Sequence, residues 1–342
     1  MKAIVFKEHG GPEVLQYTDA PVPAVRANEV LVRVRACALN HLDLWVRGGL
    51  PGVAIPLPHI PGSDIAGEIA EIGPEVTTVK VGQKVVLAPG VSCGKCASCV
   101  AGLDNRCRQF SNLGYLSDGG CAEFVRCPEV NCLPYPENLS FEEAAAIPLV
   151  FQTAWHMLIT LAQLQAGEDV LVLGAGSGVG SAAIQIAALF GARVIATAGN
   201  EAKLEKARKL GAAHVINHHT QKIRDEVRRI TNKRGVDVVV EHVGIATWDE
   251  SVASLAVAGR LVTCGATTGY DAKIDLRFLF SRQLSLLGSY MGTKSELVPV
   301  MKLVAAGRLK PVIDRTFPLS QCAEAHRYLE AGEQFGKVVL SV

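Results

Sequence analysis

The chain has 342 residues, of which 49% are hydrophobic and 20% charged, and its formal net charge is +1. A charge this close to zero excludes a strongly basic nucleic-acid-binding protein, and the N-terminus has no apolar leader. Nor is there an uncharged apolar run of about 18 residues that predicts a membrane span. We therefore expect a cytoplasmic globular protein with neither nucleic acid nor a membrane as partner, and a length typical of two domains.

The N-terminal part predicts a small β-rich domain. Residues 3–6 and 29–35 have strand-like patterns, and a proline-rich connection separates them. A polar stretch, Cys37–Gly49, follows the second strand. We expect the chemistry of this domain to begin there.

Four of the ten cysteines lie within fifteen residues, and the other six are scattered. Short loops can direct four sulfurs at one tetrahedral zinc ion, about 2.3 Å from each. A site with four protein ligands has no open position, so it is structural rather than catalytic. The sequence therefore predicts one structural zinc per chain. Its ligands are Cys93, Cys96, Cys99 and Cys107.

The stretch Asp169–Ala192 predicts a buried strand, a tight glycine turn and a buried helix. Glycines in such a turn let a pyrophosphate approach the free N–H groups at a helix N-terminus. We expect a dinucleotide there, although the spacing departs from GxGxxG. The predicted cofactor residues are Thr153, in the preceding helix, and Gly176, Ser177, Gly178, Val179 and Gly180.

Strands and helices alternate through the region that follows. Buried strands are predicted at Ala192–Thr197, Ala213–Asn217, Val236–Glu241, Arg260–Cys264 and Leu284–Ser289. Helices are predicted at Glu201–Leu210, Ile223–Thr231 and Trp248–Ala258, and earlier in the chain at Leu139–Ile147 and Phe151–Gln163. The alternation indicates an α/β fold with the doubly wound parallel sheet of a Rossmann domain.

The β-rich start, the cysteine lobe, the GAGSGVG turn and the terminal strand together resemble the medium-chain dehydrogenase/reductase superfamily over essentially the whole chain. Within it, Asn40, Asp43, Arg47 and Pro61–Asp64 resemble the quinone oxidoreductase and zinc-type alcohol dehydrogenase-like branch. The resemblance implies a Rossmann NAD(P)-binding domain (residues 149–289) inserted in a GroES-like catalytic domain (residues 1–148 and 290–342). The zinc lobe then spans about residues 91–109.

Zinc alcohol dehydrogenases hold a catalytic zinc with a cysteine, a histidine in a Gly-His-Glu segment and a later cysteine or acidic residue. The resemblance matches these positions to Cys37, Ser63 and Leu149, so two of the three ligands are missing. Leu39 also stands where the serine or threonine of a proton relay is expected. Alcohol oxidation on a catalytic zinc is therefore not favoured.

A second metal at Cys37, His59 and Asp64 is an open alternative. Sulfur, nitrogen and oxygen donors of this kind are a chemically allowed set for zinc. His59 lies among prolines, however, which is equally typical of a histidine in a rigid loop.

The remaining candidates for catalysis are Asn40 and Asp43. An amide can donate a hydrogen bond to a substrate carbonyl, and a carboxylate can hold water or ribose hydroxyls, but both residues also form ordinary turns. Arg47 is expected to pair with a carboxylate or a cofactor phosphate, or else to be solvated. His242 ends the fourth Rossmann strand and either faces the cofactor crevice or is simply packed.

Cofactor choice depends on the end of the second Rossmann strand. NAD-selective proteins have an acidic residue there, and this chain has Ala198. Asn200 can donate to a 2′-phosphate and Lys203 can supply positive charge, whereas Glu201 argues the other way. We expect NADP(H) to be favoured over NAD(H).

The function implied is hydride transfer from NAD(P)H to a small-molecule substrate: a quinone, an activated enone or an enoyl thioester. Two alternatives stand, a zinc-containing alcohol or aldehyde dehydrogenase and a nucleotide-binding protein without turnover. The apolar last Rossmann strand, Leu284–Ser289, favours edge-to-edge pairing in a homodimer.

Overall fold

The protein is described by a computed structural model that covers residues 1–342, and the chain forms two compact units. The first unit contains Met1–Leu149 and Thr293–Val342, and the second contains Val150–Gly292. Both ends of the chain therefore belong to the first unit.

The chain forms short strands and helices throughout. The strands are β1 (Lys2–Val5), β2 (Gln16–Asp19), β3 (Glu29–Ala38), β4 (Asp64–Ile72), β5 (Lys84–Leu87), β6 (Gly90–Val91), β7 (Ser111–Asn112), β8 (Phe124–Pro128), β9 (Cys132–Pro134), β10 (Asp169–Val172), β11 (Arg193–Ala198), β12 (His214–Asn217), β13 (Val236–Glu241), β14 (Leu255–Thr263), β15 (Ser285–Gly288), β16 (Ile313–Pro318) and β17 (Lys337–Ser341). The helices are α1 (His41–Gly48), α2 (Ala97–Val100), α3 (Phe141–Ala145), α4 (Pro148–Trp155), α5 (Gly178–Leu189), α6 (Glu201–Lys209), α7 (Ile223–Ile230), α8 (Ile245–Ala253), α9 (Leu276–Ser281), α10 (Lys294–Ala305) and α11 (Cys322–Glu330). A π-helical segment, His156–Leu161, continues α4.

The first unit is built on a seven-stranded sheet in the order β16-β17-β3-β4-β5-β9, with β8 also paired to β3. Strand β3 pairs antiparallel with both β4 and the C-terminal β17, so that Ala38 faces Asp64 on one side and Val339 on the other. Residues from the two ends of the sequence therefore meet where β3 ends. This agrees with the β-rich domain, formed from both ends of the chain, that the resemblance implies.

The second unit contains a six-stranded parallel sheet in the order β12-β11-β10-β13-β14-β15. All four residues of β10 are buried, as the continuous apolar run predicts for a central strand of a parallel sheet. The strand order reverses between β10 and β13. In a doubly wound sheet a dinucleotide binds at the carboxyl ends of the strands beside this point. The expected Rossmann fold is confirmed.

One predicted helix in this unit is partly wrong. The sequence predicts a helix over Trp248–Ala258, whereas α8 ends at Ala253 and β14 begins at Leu255. Leu255 is fully buried and pairs with Val236 of β13, although the following residues are rich in alanine. Burial and strand pairing thus override the helix propensity of this stretch.

One helical stretch, Phe141–Leu161, is long and apolar enough to cross a membrane by length and composition alone. Within the protein, 72% of its most apolar window is buried. The same apolar character is therefore accounted for by packing in a protein core.

Candidate functional site

The predicted glycine turn joins β10 to α5. Ser177 caps the helix, since its Oγ accepts a hydrogen bond from the N–H of Gly180 at 2.8 Å. A Cβ added to Gly180 would lie 2.3 Å from the carbonyl oxygen of Gly174, so a larger residue does not fit. Gly176, Gly178 and Val179 lie in the same turn and first helical positions. The backbone therefore has the close approach that a pyrophosphate needs, and contact with the cofactor stays a prediction.

His242 supports this turn from the end of β13. Its Nε2 lies 2.9 Å from the carbonyl oxygen of Leu173 and 3.2 Å from Oγ of Ser177. Burial lowers the pKa of His242, which keeps the ring neutral at neutral pH. A neutral ring that donates to Leu173 holds the end of β10 and the glycine turn together.

Thr153 carries a buried hydroxyl, which has no hydrogen-bond partner among the protein's atoms. Buried hydroxyls are normally satisfied, so an unpaired one suggests a bound group. This observation fits the predicted role of Thr153 in holding a nicotinamide cofactor, whose function is to supply or accept a hydride.

The end of β11 carries no acidic side chain that faces a ribose. Asn200 caps α6, with its Oδ1 accepting from the N–H of Lys203 at 2.9 Å, which leaves its Nδ2 as a donor. Glu201, the residue that argues against NADPH, forms an ion pair with Arg208 at 2.9 Å. The acidic group near this position is thus paired with a cation.

Two histidines that the sequence analysis missed lie at the same place. A Cβ on Gly199 would approach the His219 ring to 2.6 Å, so that ring covers the backbone after β11. Burial, His219 and Lys203 together lower the pKa of His218. The ammonium of Lys203 and two imidazole rings therefore lie where a 2′-phosphate is expected. The HH pair directly after a predicted strand was the available signal.

The four predicted zinc ligands form one compact group. Their sulfurs all lie within 4.8 Å of one another, with Cys96 3.5 Å from Cys99, and Cys93 3.6 Å from Cys107. A tetrahedral site with zinc–sulfur bonds of about 2.3 Å places its sulfurs about 3.8 Å apart. The separations lie close to this value, so the cluster is suited to zinc.

The local backbone prepares one of these thiols for metal. N–H groups of Lys95 and Cys96 lower the pKa of Cys93 to about 6, so its thiolate forms readily at neutral pH. The lobe is also tied to the start of α10. Asp104 accepts hydrogen bonds from the N–H of Lys294 at 3.1 Å and from its Nζ at 2.9 Å.

A second polar cluster lies where β3, β4 and β17 meet. Asp64 is fully buried, and its Oδ1 accepts from the N–H of Leu149 at 2.8 Å. Its Oδ2 accepts from Nζ of Lys337 at 2.8 Å and from Nδ2 of Asn40 at 3.0 Å. Nζ of Lys337 also donates to Oδ1 of Asn40 at 2.5 Å. We call Asn40, Asp64 and Lys337 the buried triad.

The triad corrects one predicted match. Asn40 donates to Asp64, which also accepts from the N–H of Leu149, whereas Cys37 has its Sγ 3.9 Å from Sγ of Cys121. The raised pKa of Cys37, caused by its bond with Cys121 and by burial, also keeps it a thiol. The first ligand position of a catalytic zinc is therefore occupied by Asn40, and matching Cys37 to it was wrong.

The residues around this position do not fit a catalytic zinc. Besides Asn40 at the first ligand position, Ser63 occupies the position of the histidine ligand and Leu149 that of the last ligand. The ammonium group of Lys337 is also hydrogen-bonded to Asn40, where a metal cation would have to bind. His59 does not complete a second site either. Its Nε2 contacts the carbonyl of Gly114 at 3.1 Å, and burial lowers its pKa. Of the two interpretations of His59, these contacts favour a histidine in a rigid loop over a metal ligand.

Asp43, the second residue predicted to be catalytic, is bonded to the protein backbone. It is fully buried, and its carboxylate accepts the N–H of Asn40 at 2.7 Å and the N–H of Gly62 at 3.0 Å. A carboxylate engaged in this way holds the backbone at the start of α1. It therefore fixes the backbone of Asn40, and a direct catalytic role for Asp43 stays a prediction.

Arg47 is buried and pairs with a carboxylate, as one interpretation of the sequence expects. Its guanidinium bonds Glu330, the carbonyl of Gly10 and Nδ1 of His326, so it joins α1 to α11. His326 is fully buried, and desolvation lowers its pKa to about 4. The sequence analysis missed this histidine because helical periodicity alone does not show its partners.

Lys337 is the principal residue that the sequence analysis missed. Its exposed fraction is only 3%, and it is the first residue of the apolar strand β17. A lysine next to a run of buried apolar residues was a usable signal, because lysine is rarely buried without a partner.

Comparisons with known proteins cover almost the whole chain. Residues 26–137 match the alcohol dehydrogenase GroES-like domain family, and residues 178–306 match the zinc-binding dehydrogenase family. The quinone oxidoreductase of Homo sapiens is 31% identical over 99% of this chain and 97% of its own length. An NAD-dependent alcohol dehydrogenase of Sulfolobus acidocaldarius is 34% identical over all of both chains. The solved structure of an NAD-dependent alcohol dehydrogenase is 49% identical, covers 100% of both chains and has a TM-score of 0.97.

Proposed function

The chain belongs to the medium-chain dehydrogenase/reductase superfamily and is an oxidoreductase, and we propose that it uses NADPH to reduce a quinone, an activated enone or an enoyl thioester. The observation that carries this proposal is the buried triad at the catalytic-metal position. Since no metal ligand set is present there, the acceptor must be one that hydrogen bonds alone can polarise.

Asn40 supplies the donor in this proposal. Its Nδ2 has one good hydrogen bond, to Asp64, and its other N–H has only a long contact of 3.4 Å with the carbonyl of Ala38. That second N–H can donate to a carbonyl oxygen that becomes negative as hydride arrives. Asp43 fixes the backbone of Asn40, and the glycine turn and Thr153 hold the cofactor.

The decisive assay follows NADPH oxidation by purified protein with a panel of quinones, enones and enoyl thioesters, and alcohol oxidation with NADP⁺ as the comparison. We expect turnover with the activated acceptors and an Asn40→Ala variant that loses about 100-fold in kcat while it still binds NADPH. Alcohol oxidation that requires added zinc would support the zinc dehydrogenase alternative. Cofactor binding with no turnover on any acceptor would support the nucleotide-binding alternative.

The preference for NADPH over NADH is proposed on the charges at the end of β11. Ala198 presents no carboxylate to repel a 2′-phosphate, Glu201 is paired with Arg208, and Lys203 and two histidines lie close by. Two similar proteins are named NAD-dependent, so this feature would distinguish the chain from them.

The test compares kcat/KM for the two cofactors in the wild type and in Lys203→Ala. Loss of one charge-assisted hydrogen bond predicts a fall of about 10-fold with NADPH and little change with NADH. Lys206→Ala, an exposed lysine of the same helix, is the matched control. An NADH preference in the wild type would show that the missing acid does not decide cofactor choice.

We also infer a homodimer through β15. This strand is the edge of the six-stranded sheet, and the neighbouring Leu276, Phe280 and Tyr290 are 66%, 70% and 57% exposed. An unpaired edge beside exposed apolar side chains is typical of a subunit interface. Light scattering should give a dimer that Phe280→Glu weakens, with exposed Val100→Glu as control. A monomeric wild type at micromolar concentration would reject the inference.

A further inference from the structure

The buried triad fixes the orientation of the Asn40 amide by chemistry alone. A lysine ammonium only donates hydrogen bonds and an ionised carboxylate only accepts them. The atom of Asn40 next to Nζ of Lys337, at 2.5 Å, must therefore be the oxygen. The atom next to Oδ2 of Asp64, at 3.0 Å, must be the nitrogen. If the amide rotated by 180°, its nitrogen would face the ammonium of Lys337 and its oxygen would face the carboxylate of Asp64. Two donors and two acceptors would then oppose each other.

Such a pair is unusual in a protein interior. Lys337 and Asp64 are 3% and 0% exposed, so both charges are removed from water and depend on each other. Well-packed apolar residues of similar volume often serve stability equally well. A buried ion pair at this position is therefore better explained by the orientation that it imposes on Asn40 than by stability.

We propose that Lys337 is a positioning residue that holds the Nδ2 end of Asn40 toward the substrate. The inference rests on the proposed function and assigns the reactive group of the acceptor, a carbonyl oxygen that accepts a hydrogen bond. In the reaction, hydride adds to an acceptor carbon, the electron pair of the carbonyl moves to its oxygen, and solvent supplies the proton while the nicotinamide is oxidised. A flipped Asn40 would present its own oxygen and repel the developing charge.

The test is a double variant that removes both charges, Lys337→Met with Asp64→Asn. The new amide must keep its oxygen toward the N–H of Leu149, which Asp64 accepts at 2.8 Å. Its nitrogen then faces Asn40 and favours the flipped amide. Because no charge is left unpaired, the double variant should unfold at a temperature closer to the wild type than either single variant does.

We expect this double variant to lose about 100-fold in kcat, with the Kd for NADPH unchanged. Lys337→Arg keeps a group that only donates, and it should retain more of kcat than Lys337→Met. The matched control is Lys84→Met with Glu137→Gln, which removes an exposed ion pair of the same unit and should leave kcat unchanged. A neutron crystal structure of the double variant, which distinguishes the amide nitrogen from the oxygen, would show which atom of Asn40 faces position 64.

A stable double variant with kcat within about threefold of the wild type, too small a loss for a missing oxyanion donor, would overturn the positioning role. It would leave the proposed function intact. A wild-type protein that reduces none of the acceptors would overturn the proposed function and this inference together. The wild-type assay thus separates the two failures.

Discussion

The cysteine lobe and the buried triad are two polar clusters of the first unit, and they differ in burial, in sequence separation and in the source of positive charge. In the lobe, four thiols within one short segment form a cluster that could hold a metal ion, and three of the four cysteines are partly exposed. In the triad, three residues separated by up to 297 positions form a buried cluster in which lysine supplies the cation. The lobe is local in sequence and depends on an added ion, whereas the triad is distant in sequence and neutral in itself.

The difference shows that one scaffold can hold a four-sulfur cluster suited to a structural metal without a ligand set for a catalytic one. Four close sulfurs need only a short loop to be directed at one ion. A catalytic site needs ligands from several elements, and the resemblance matches two of those positions to Ser63 and Leu149, which are not zinc ligands. The ammonium of Lys337 then offsets the buried charge of Asp64, which would otherwise be unpaired.

The largest effect is expected from metal removal. We predict about one zinc per chain, bound by the four cysteines, because the triad offers no second ligand set. Cys96→Ser should lose the zinc and unfold the lobe, since binding to such sites is worth roughly 10 kcal/mol in small zinc peptides. Metal analysis of wild type and variant provides the measurement. Two zinc ions in the wild type would remove the contrast between the two centres.

The next effect concerns charge burial. Lys337→Met alone should reduce the free energy of unfolding by about 3–5 kcal/mol, because it leaves the Asp64 carboxylate buried without its partner. Lys84→Met, which breaks an ion pair whose lysine side chain is 43% exposed, should cost less than about 1 kcal/mol. Urea unfolding of both variants measures the difference. Equal losses would mean that the triad is not desolvated in solution.

A smaller effect is expected from His326, which interacts electrostatically with Asp43 and is hydrogen-bonded to Arg47. Its folded pKa of about 4 lies below the unfolded value of about 6.5, so its contribution is present above that value and lost as pH falls toward 4. Lowering pH from 7.5 to 5 should therefore cost about 2 kcal/mol through this group.

His326→Asn keeps an acceptor for Arg47 and should remove that part of the pH dependence, as urea unfolding at both pH values can measure. The matched control is His214→Asn, which replaces an exposed histidine. An unchanged pH dependence in His326→Asn would show that the ring takes up a proton without unfolding.

The smallest effect is expected from Ser63, whose buried hydroxyl has no partner among the protein's atoms. Ser63→Ala should change the free energy of unfolding by less than about 1 kcal/mol, since no protein hydrogen bond is lost. Ser181→Ala removes a hydroxyl that donates to the carbonyl of Gly178 at 2.9 Å, and it is the comparison. A larger loss of unfolding free energy in Ser63→Ala than in Ser181→Ala would indicate a bound group at position 63, which the resemblance matches to a histidine ligand.

Much of the fold follows from local patterns. The apolar run of β10 and the glycines after it predict a buried strand and a turn because both depend on neighbouring residues only. The cysteine cluster is readable for the same reason. The boundary between α8 and β14 cannot be predicted from local patterns, because the pairing of Leu255 with Val236 competes with local helix propensity.

By itself, therefore, the sequence determined the family, the two kinds of domain and the four-sulfur cluster, all of which are recorded in short stretches of chain. Only the tertiary structure decided that Asn40 rather than Cys37 stands at the first ligand position, and that Lys337 meets it from the other end of the chain. Strand pairing between β3 and β17 brings these residues together. No local pattern records which distant residue a buried amide or carboxylate will find, because that depends on sheet register.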